Sequence, residues 1–128
     1  VNTGIIKRVS GYTIRIRVLI LEVLMKLSSD FEAGKLQLRF AGELDHHAAG
    51  KAMRDIGSCI DIYLPRDCVM DLSALQFMDS SGIAVILKTY KRMNEIGGRL
   101  RIEKVQKQPM RVIGASGIER ILPIQTDF

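Results

Sequence analysis

The segment at residues 79–82 has the sequence Asp-Ser-Ser-Gly and holds the residues best suited to chemistry, a carboxylate and two hydroxyls. An apolar run at 68–72 precedes it, and apolar residues recur at helical spacing over 83–96 after it. This pattern predicts a strand, a short turn and a helix. Polar side chains at such a position pair with the free N–H groups of the first helical turn. The hydroxyls are therefore either caps or targets for modification.

These residues form no catalytic constellation. Ser80 and Ser81 are candidate nucleophiles, but the Gly-x-Ser-x-Gly motif of serine hydrolases is absent. His46 and His47 are adjacent and point in different directions on a strand or helix, which argues against a shared metal ion. The Gly-Gly pair at 97–98 lacks the lysine and the spacing of a phosphate-binding loop and predicts a helix end. We therefore predict that the protein is not an enzyme and needs no cofactor or metal.

Phosphorylation would give the segment 79–82 a second state. A phosphoserine adds about −1.5 to −2 charges beside Asp79. The start of a helix accepts such an anion, because the helix dipole contributes about 0.3–1 kcal/mol there. A partner docked over the same hydroxyl would instead meet the charge and the bulk of the phosphate. A modified serine can therefore switch the binding of a partner while the fold stays the same.

Composition indicates one globular domain with an aliphatic core. The chain has 128 residues, of which 47% are apolar and only 5% aromatic. The two cysteines, Cys59 and Cys68, lack zinc-site spacing and predict reduced thiols, as in a cytoplasmic protein. The net charge of +5 is concentrated before Met25, and no basic block with interleaved aromatic residues follows. We therefore expect no nucleic-acid surface.

The order of elements predicts an α/β fold. Alternating or continuous apolar runs predict strands, and apolar stripes at a spacing of three or four residues predict helices. Asp45 is the expected N-cap of the first helix, and Pro109 lies in the first turn of the last one. The order is strand, strand, helix, strand, helix, strand, helix. We expect a mixed sheet of about four strands with helices mainly on one face. The predicted strands are at about 26–32, 35–40, 68–72 and 99–104.

Residues 1–24 form an atypical extension to the predicted domain at 25–128. Their longest apolar run is far shorter than the ~20 residues of a membrane-spanning helix, and Glu22 interrupts it. Basic residues precede this run, but no small-residue cleavage site follows it as in a signal peptide. Codons for Glu22 and the valine after it can spell a ribosome-binding sequence just before Met25. One hypothesis is that Met25 is the native start, and residues 1–24 are then either translated leader or a mis-called start.

Two motifs resemble those of a known family. One is Gly-Glu-Leu-Asp-His-His at 42–47, and the other is Phe-Met-Asp-Ser-Ser-Gly-Ile at 77–83, followed by Val-Ile-Leu at 85–87 and Ile-Gly-Gly at 96–98. In sequence and spacing they resemble the STAS-domain anti-sigma factor antagonists, and among these the anti-sigma-F factor antagonists of endospore-forming bacteria. The resemblance covers about residues 26–124 and implies a STAS fold.

The resemblance implies partner switching. The unphosphorylated antagonist would bind an anti-sigma factor that is also a serine kinase, bound to ATP or ADP, and so release a sporulation sigma factor. The kinase would phosphorylate the first serine after the aspartate, here Ser80, and a 2C-type serine phosphatase would reverse the modification. Asp45 matches the acidic residue that meets an arginine of the kinase. The implied partner-binding residues are Asp45, His46, His47, Asp79, Ser80, Ser81, Gly82 and Ile83.

Two alternative functions stay open. One is a STAS component of a general-stress sigma pathway, which would fail to bind the sporulation kinase in a pull-down. The other is a STAS accessory subunit of a membrane transporter, which would be favoured if residues 1–24 bound anionic vesicles. We do not expect a membrane partner, because the apolar run of the extension is too short to span a bilayer.

Overall fold

The computed structural model describes residues 25–128, so the predicted extension at 1–24 lies outside the described residues. The described residues form three α-helices, and a 3₁₀ turn at Ile118–Arg120 follows the last of them. The elements in chain order are β1 (Lys26–Glu32), β2 (Lys35–Leu44), α1 (His46–Tyr63), β3 (Asp67–Met78), α2 (Ser80–Glu95), β4 (Arg99–Val105), α3 (Lys107–Ser116) and β5 (Ile124–Thr126).

Within residues 25–128 the strands form one sheet in the order β1-β2-β3-β4-β5. A turn at Ala33 and Gly34 makes β1 antiparallel to β2, and both residues adopt positive φ angles. Every later pairing is parallel, since a helix lies in the connection between each pair of successive strands and returns the chain to the same end of the sheet. The α/β prediction with a mixed sheet is confirmed.

The core lies between the sheet and the helices. Leu36, Leu38 and Phe40 on β2 are at most 1% exposed, and the intervening residues are more exposed, as strand periodicity requires. The same buried cluster includes Ile56 of α1 and Ile86 of α2. The described residues contain no helix long and apolar enough to cross a membrane. The predicted aliphatic core is confirmed, because every buried apolar residue except Phe40 is aliphatic, methionine or cysteine.

Three element boundaries differ from the sequence prediction. β3 runs to Met78 rather than ending near residue 72, and β2 continues through the predicted stop to Leu44. Helix α2 begins at Ser80, three residues before the predicted start. The sheet has five strands rather than about four, because the short tail segment Ile124–Thr126 adds to the β4 edge. Together these differences bring both motifs directly to the ends of strands.

The two cysteines are free thiols in different environments. Cys59 on α1 is half-buried and donates a hydrogen bond to the Ser29 hydroxyl at 3.7 Å. Burial, together with the proximity of Cys59, raises the pKa of the Cys68 thiol to about 12. Cys68 is therefore an unreactive core residue at neutral pH, because the thiolate is the reactive form.

Candidate functional site

The two motifs meet at one edge of the sheet. Leu44 ends β2 and Met78 ends β3, and the parallel register places these two residues opposite each other. Each strand is followed by an aspartate and then by a helix. The Asp79 N–H donates a hydrogen bond to the Leu44 carbonyl at 3.4 Å, which fixes the two connections side by side. Sites in open parallel sheets form at this carboxyl edge.

Both aspartates are N-caps. Asp45 Oδ1 accepts a hydrogen bond from the Ala48 N–H at 3.1 Å, so the predicted cap of α1 is confirmed. Asp79 Oδ1 accepts one from the Ser81 N–H at 2.8 Å. Each carboxylate satisfies a backbone donor that a helix start would otherwise leave free. Both carboxylates therefore have a structural role that needs no partner protein.

The two serines of the motif differ in accessibility. Ser80 is the first residue of α2 and is exposed, whereas Ser81 is half-buried. No hydrogen bond joins the Ser80 hydroxyl to another residue within 25–128. The acceptor that caps α2 is the carboxylate of Asp79, which binds the backbone N–H of Ser81. Neither serine hydroxyl takes part in this cap. The Ser80 hydroxyl is thus the more accessible of the two, and its modification would break no side-chain hydrogen bond among residues 25–128.

Gly82 is required by packing. It is buried in the first turn of α2, where an added Cβ would lie 2.6 Å from the Met78 sulfur and 3.1 Å from the Met78 Cβ. The Met78 side chain therefore occupies the space beside Gly82, and the end of β3 packs closely against the first turn of α2. The half-buried side chain of Ile83 packs against the core beside it. Gly82 and Ile83 consequently pack the first turn of α2, which carries Ser80, against the core.

His46 and His47 lie at the same edge of the sheet, in the first turn of α1. Both are exposed, and their ring centroids are 5.9 Å apart with the planes inclined at 67°. The described part of the chain holds no group of three His, Cys, Asp or Glu residues that could bind a metal ion. They lie at the start of α1, which is adjacent at this sheet edge to the start of α2, where Ser80 lies.

Two exposed apolar residues lie on the elements that meet at Ser80. Phe77 is 37% exposed and lies opposite Glu43 in the pairing of β2 with β3. Leu87, 41% exposed, stands two turns along α2 from Ser80. Phe77 belongs to the second motif, but its exposure could not be predicted from strand alternation, because the predicted strand ended near residue 72. Leu87 comes seven residues after Ser80, so the sequence alone predicts that both lie on the same face of a helix.

Gln108 is a further residue that the sequence analysis missed. Its side-chain amide makes two hydrogen bonds to one residue at the end of β3: Oε1 accepts from the Met78 N–H at 2.9 Å, and Nε2 donates to the Met78 carbonyl at 3.0 Å. The two residues are 30 positions apart in the chain. Nothing in the local sequence around Gln108 signals this contact.

The fold and motifs agree with known proteins. The STAS domain family matches residues 25–128. The chain belongs to this family. It is 35% identical over 100 residues to the anti-sigma F factor antagonist of Paenibacillus polymyxa, covering 78% of this chain and 86% of that protein. It is also 28% identical over 90 residues to the anti-sigma-B factor antagonist of Bacillus subtilis, covering 70% of this chain and 80% of that protein.

A solved structure resembles the fold described here. The anti-sigma factor antagonist SpoIIAA in its unphosphorylated form matches with a TM-score of 0.61 at 25% identity, over 82% of this chain and 89% of that one. The STAS fold expected from the sequence is confirmed. The family match begins at residue 25, and the domain boundary expected there stays a prediction.

Proposed function

We propose that this protein is an anti-sigma factor antagonist whose binding to its anti-sigma factor is weakened by phosphorylation of Ser80. The observation that carries the proposal is the exposed Ser80 hydroxyl at the Asp79-capped start of α2. Asp45, His46 and His47 stand on the neighbouring helix start, beside the same sheet edge. In this proposal these residues form one partner-binding surface with Ser80. The names of the relatives in Paenibacillus polymyxa and Bacillus subtilis support the same function.

The switch in this proposal is electrostatic and steric. A phosphate on Ser80 brings about −1.5 to −2 charges to the surface, next to the carboxylate of Asp79. The α2 N-terminus tolerates it within the free protein. For a partner that places a negative group about 6 Å away, each unit-charge repulsion costs about 0.7–2.8 kcal/mol at an effective dielectric constant of 80–20. Together with the bulk of the phosphate, this lowers affinity by about tenfold to hundredfold.

The kinase in this proposal is the anti-sigma factor itself. Its ATP would be the phosphoryl donor, so this chain needs no nucleotide or metal of its own for the switch. The unphosphorylated protein would displace a sporulation sigma factor in the cytoplasm, and a 2C-type serine phosphatase would return the phosphorylated form to the active state. The 35% identity to an anti-sigma F factor antagonist favours the sporulation pathway.

Mapping the phosphorylated residue tests the proposal. The protein would be incubated with the anti-sigma F factor of the same organism and ATP, and its peptides analysed by mass spectrometry. We expect one phosphate on Ser80, none in Ser80→Ala and unchanged incorporation in the matched control Ser81→Ala. Phosphate incorporation that persists in Ser80→Ala and disappears in Ser81→Ala would reject the assignment of Ser80.

A general-stress pathway is the second candidate. The 28% identity to the anti-sigma-B factor antagonist of Bacillus subtilis supports it, and the same exposed Ser80 would serve as its switch. The two candidates differ only in the partner. Parallel titrations with the sporulation and the general-stress anti-sigma factors of one organism separate them, and we expect the tighter complex with the sporulation factor. Tighter binding to the general-stress factor would select the second candidate.

A further inference from the structure

Strand β3 has one edge without a strand partner over its last residues. Its pairing with β2 continues to Met78, whereas its pairing with β4 ends at the pair Asp71 and Glu103. Soon after that pair, β4 turns away at Lys104, whose φ angle of 58° is unusual for a residue with a side chain. The segment of β3 that leads into Ser80 is therefore supported by strand hydrogen bonds on its β2 side alone among the described residues.

Gln108 supplies the missing partner at the point closest to Ser80. A carboxamide has the same donor and acceptor groups as a peptide unit. The two hydrogen bonds of 2.9 Å and 3.0 Å to Met78 thus reproduce the contact that another strand would make. On the other side, the Asp79 N–H bonds to the Leu44 carbonyl. The backbone before Ser80 is held from both sides.

Packing beneath the helix start makes this restraint matter. The Met78 side chain occupies the space that a Cβ on Gly82 would need, so a displacement of Met78 is transmitted to the first turn of α2. Gln108 itself is half-buried in the first turn of α3, a helix whose N-cap residue Gln106 makes no capping hydrogen bond with its side chain. The Gln108 side chain therefore joins α3 to the end of β3, just before Ser80, and does not cap its own helix.

We propose that Gln108 is a positioning residue, which fixes the Met78–Asp79 backbone and thereby holds Ser80 in the geometry that the kinase needs. The inference rests on the proposed phosphorylation of Ser80. Gln108 touches neither the hydroxyl nor a partner in this role. Its effect falls on the rate of phosphoryl transfer, because misplacement of a reacting group lowers the rate more than it lowers binding.

The first test is backbone hydrogen exchange in the full chain carrying Gln108→Ala. We expect exchange of the Met78 amide to accelerate by about tenfold to hundredfold, since its acceptor is lost. Exchange at Met70, buried in the middle of β3, serves as the internal reference for global stability. The matched control is Gln106→Ala, because the Gln106 amide bonds to the Lys104 carbonyl and the Asp127 carboxylate instead. Unchanged exchange at Met78, or an equal effect of Gln106→Ala, would overturn the positioning role.

The second test is the kinetics of phosphorylation. For Gln108→Ala we expect kcat to fall by about fivefold to thirtyfold with KM changed less than about twofold, and for Gln106→Ala we expect both constants unchanged. Gln108→Glu keeps the acceptor for the Met78 N–H but not the donor to its carbonyl, so its kcat should be intermediate. A wild-type kcat in Gln108→Ala would overturn the inference.

The two tests also separate this inference from the proposed function. If the unsubstituted protein is not phosphorylated, the proposed function fails, and the role of Gln108 in phosphorylation fails with it. If it is phosphorylated on Ser80 but Gln108→Ala behaves as the wild type in both tests, the positioning role alone is wrong. Should Gln108→Ala lower the protection of Met70 as strongly as that of Met78, a general loss of stability would account for the result and the positioning role would be rejected.

Discussion

Helices α1 and α2 begin almost identically and yet offer different chemistry. Their N-cap residues, Asp45 and Asp79, have φ angles of −107° and −110° and ψ angles of −172° and −166°. Both come after a strand of the same parallel pair, and both carboxylates accept a backbone hydrogen bond. The residues after the two caps differ. Helix α1 continues with the exposed His46 and His47, whereas α2 continues with the exposed Ser80 and, two residues later, the buried Gly82.

This difference shows which part of the second motif is structural. An aspartate cap is needed at either helix start whether or not a partner binds. The buried Gly82 occurs only at the second start, where it lets Met78 pack under the first turn. Ser80 carries the exposed hydroxyl of the motif, and no side-chain hydrogen bond within residues 25–128 uses it. The proposed switch therefore acts at that hydroxyl.

The largest effect on the fold should come from Gly82→Ala. The added methyl group must displace the Met78 side chain, and overpacking of this kind costs about 1–3 kcal/mol, offset in part by about 1 kcal/mol of helix propensity. We expect a net loss in free energy of unfolding of up to about 2 kcal/mol in urea titrations. A gain of about 1 kcal/mol, as helix propensity alone would give, would mean that the tight contact between Met78 and Gly82 is absent in solution.

Removal of either cap should have a smaller effect, similar at the two sites. Asp45→Ala and Asp79→Ala each lose one capping hydrogen bond, and we expect each to lower the free energy of unfolding by about 1 kcal/mol. Asparagine is an equally good cap, so Asp45→Asn and Asp79→Asn should stay near the wild type. A loss in the asparagine variants as large as in the alanine variants would show that the negative charge, not the cap, stabilises these positions.

The smallest effect, of opposite sign, is expected for Gly57→Ala. Gly57 lies inside α1, and a Cβ built there has no atom within 4 Å. The substitution should stabilise the protein by about 0.5–1 kcal/mol, because alanine is the better helix former and nothing obstructs it. Measured beside Gly82→Ala, it separates the packing constraint on one helical glycine from the helix propensity that both share. A destabilising result would mean that the space beside Gly57 is filled in solution.

The sequence predicted the fold better than the details of the site. Apolar periodicity located the helices, β2 and β4 and the start of β3, and the turn signal at Ala33 and Gly34 located β1, which has no repeating buried positions. It missed the end of β3, where Ser73, Ala74 and Gln76 are exposed and break the apolar run. It also missed β5, which has three residues and a pattern too short to be recognised.

The supporting contacts of the site could not be read from the chain. The pairing of Gln108 with Met78 spans 30 positions and involves a polar residue in a helix, so no local pattern marks it. The contact between Met78 and Gly82 depends on the angle between β3 and α2. The cap at Asp45 was recognisable because capping is a local interaction with known residue preferences. At residues 79–82 the sequence favoured the hydroxyls as caps, whereas the carboxylate of Asp79 is the cap.

The most direct test of the switch is the affinity of the anti-sigma factor for the two forms of this protein. Unphosphorylated protein and protein phosphorylated on Ser80 would be titrated against the same partner by calorimetry, with circular dichroism as a check that both are equally folded. We predict a Kd at least about tenfold weaker for the phosphorylated form, with no change in fold. Equal affinities for the two forms would contradict the account.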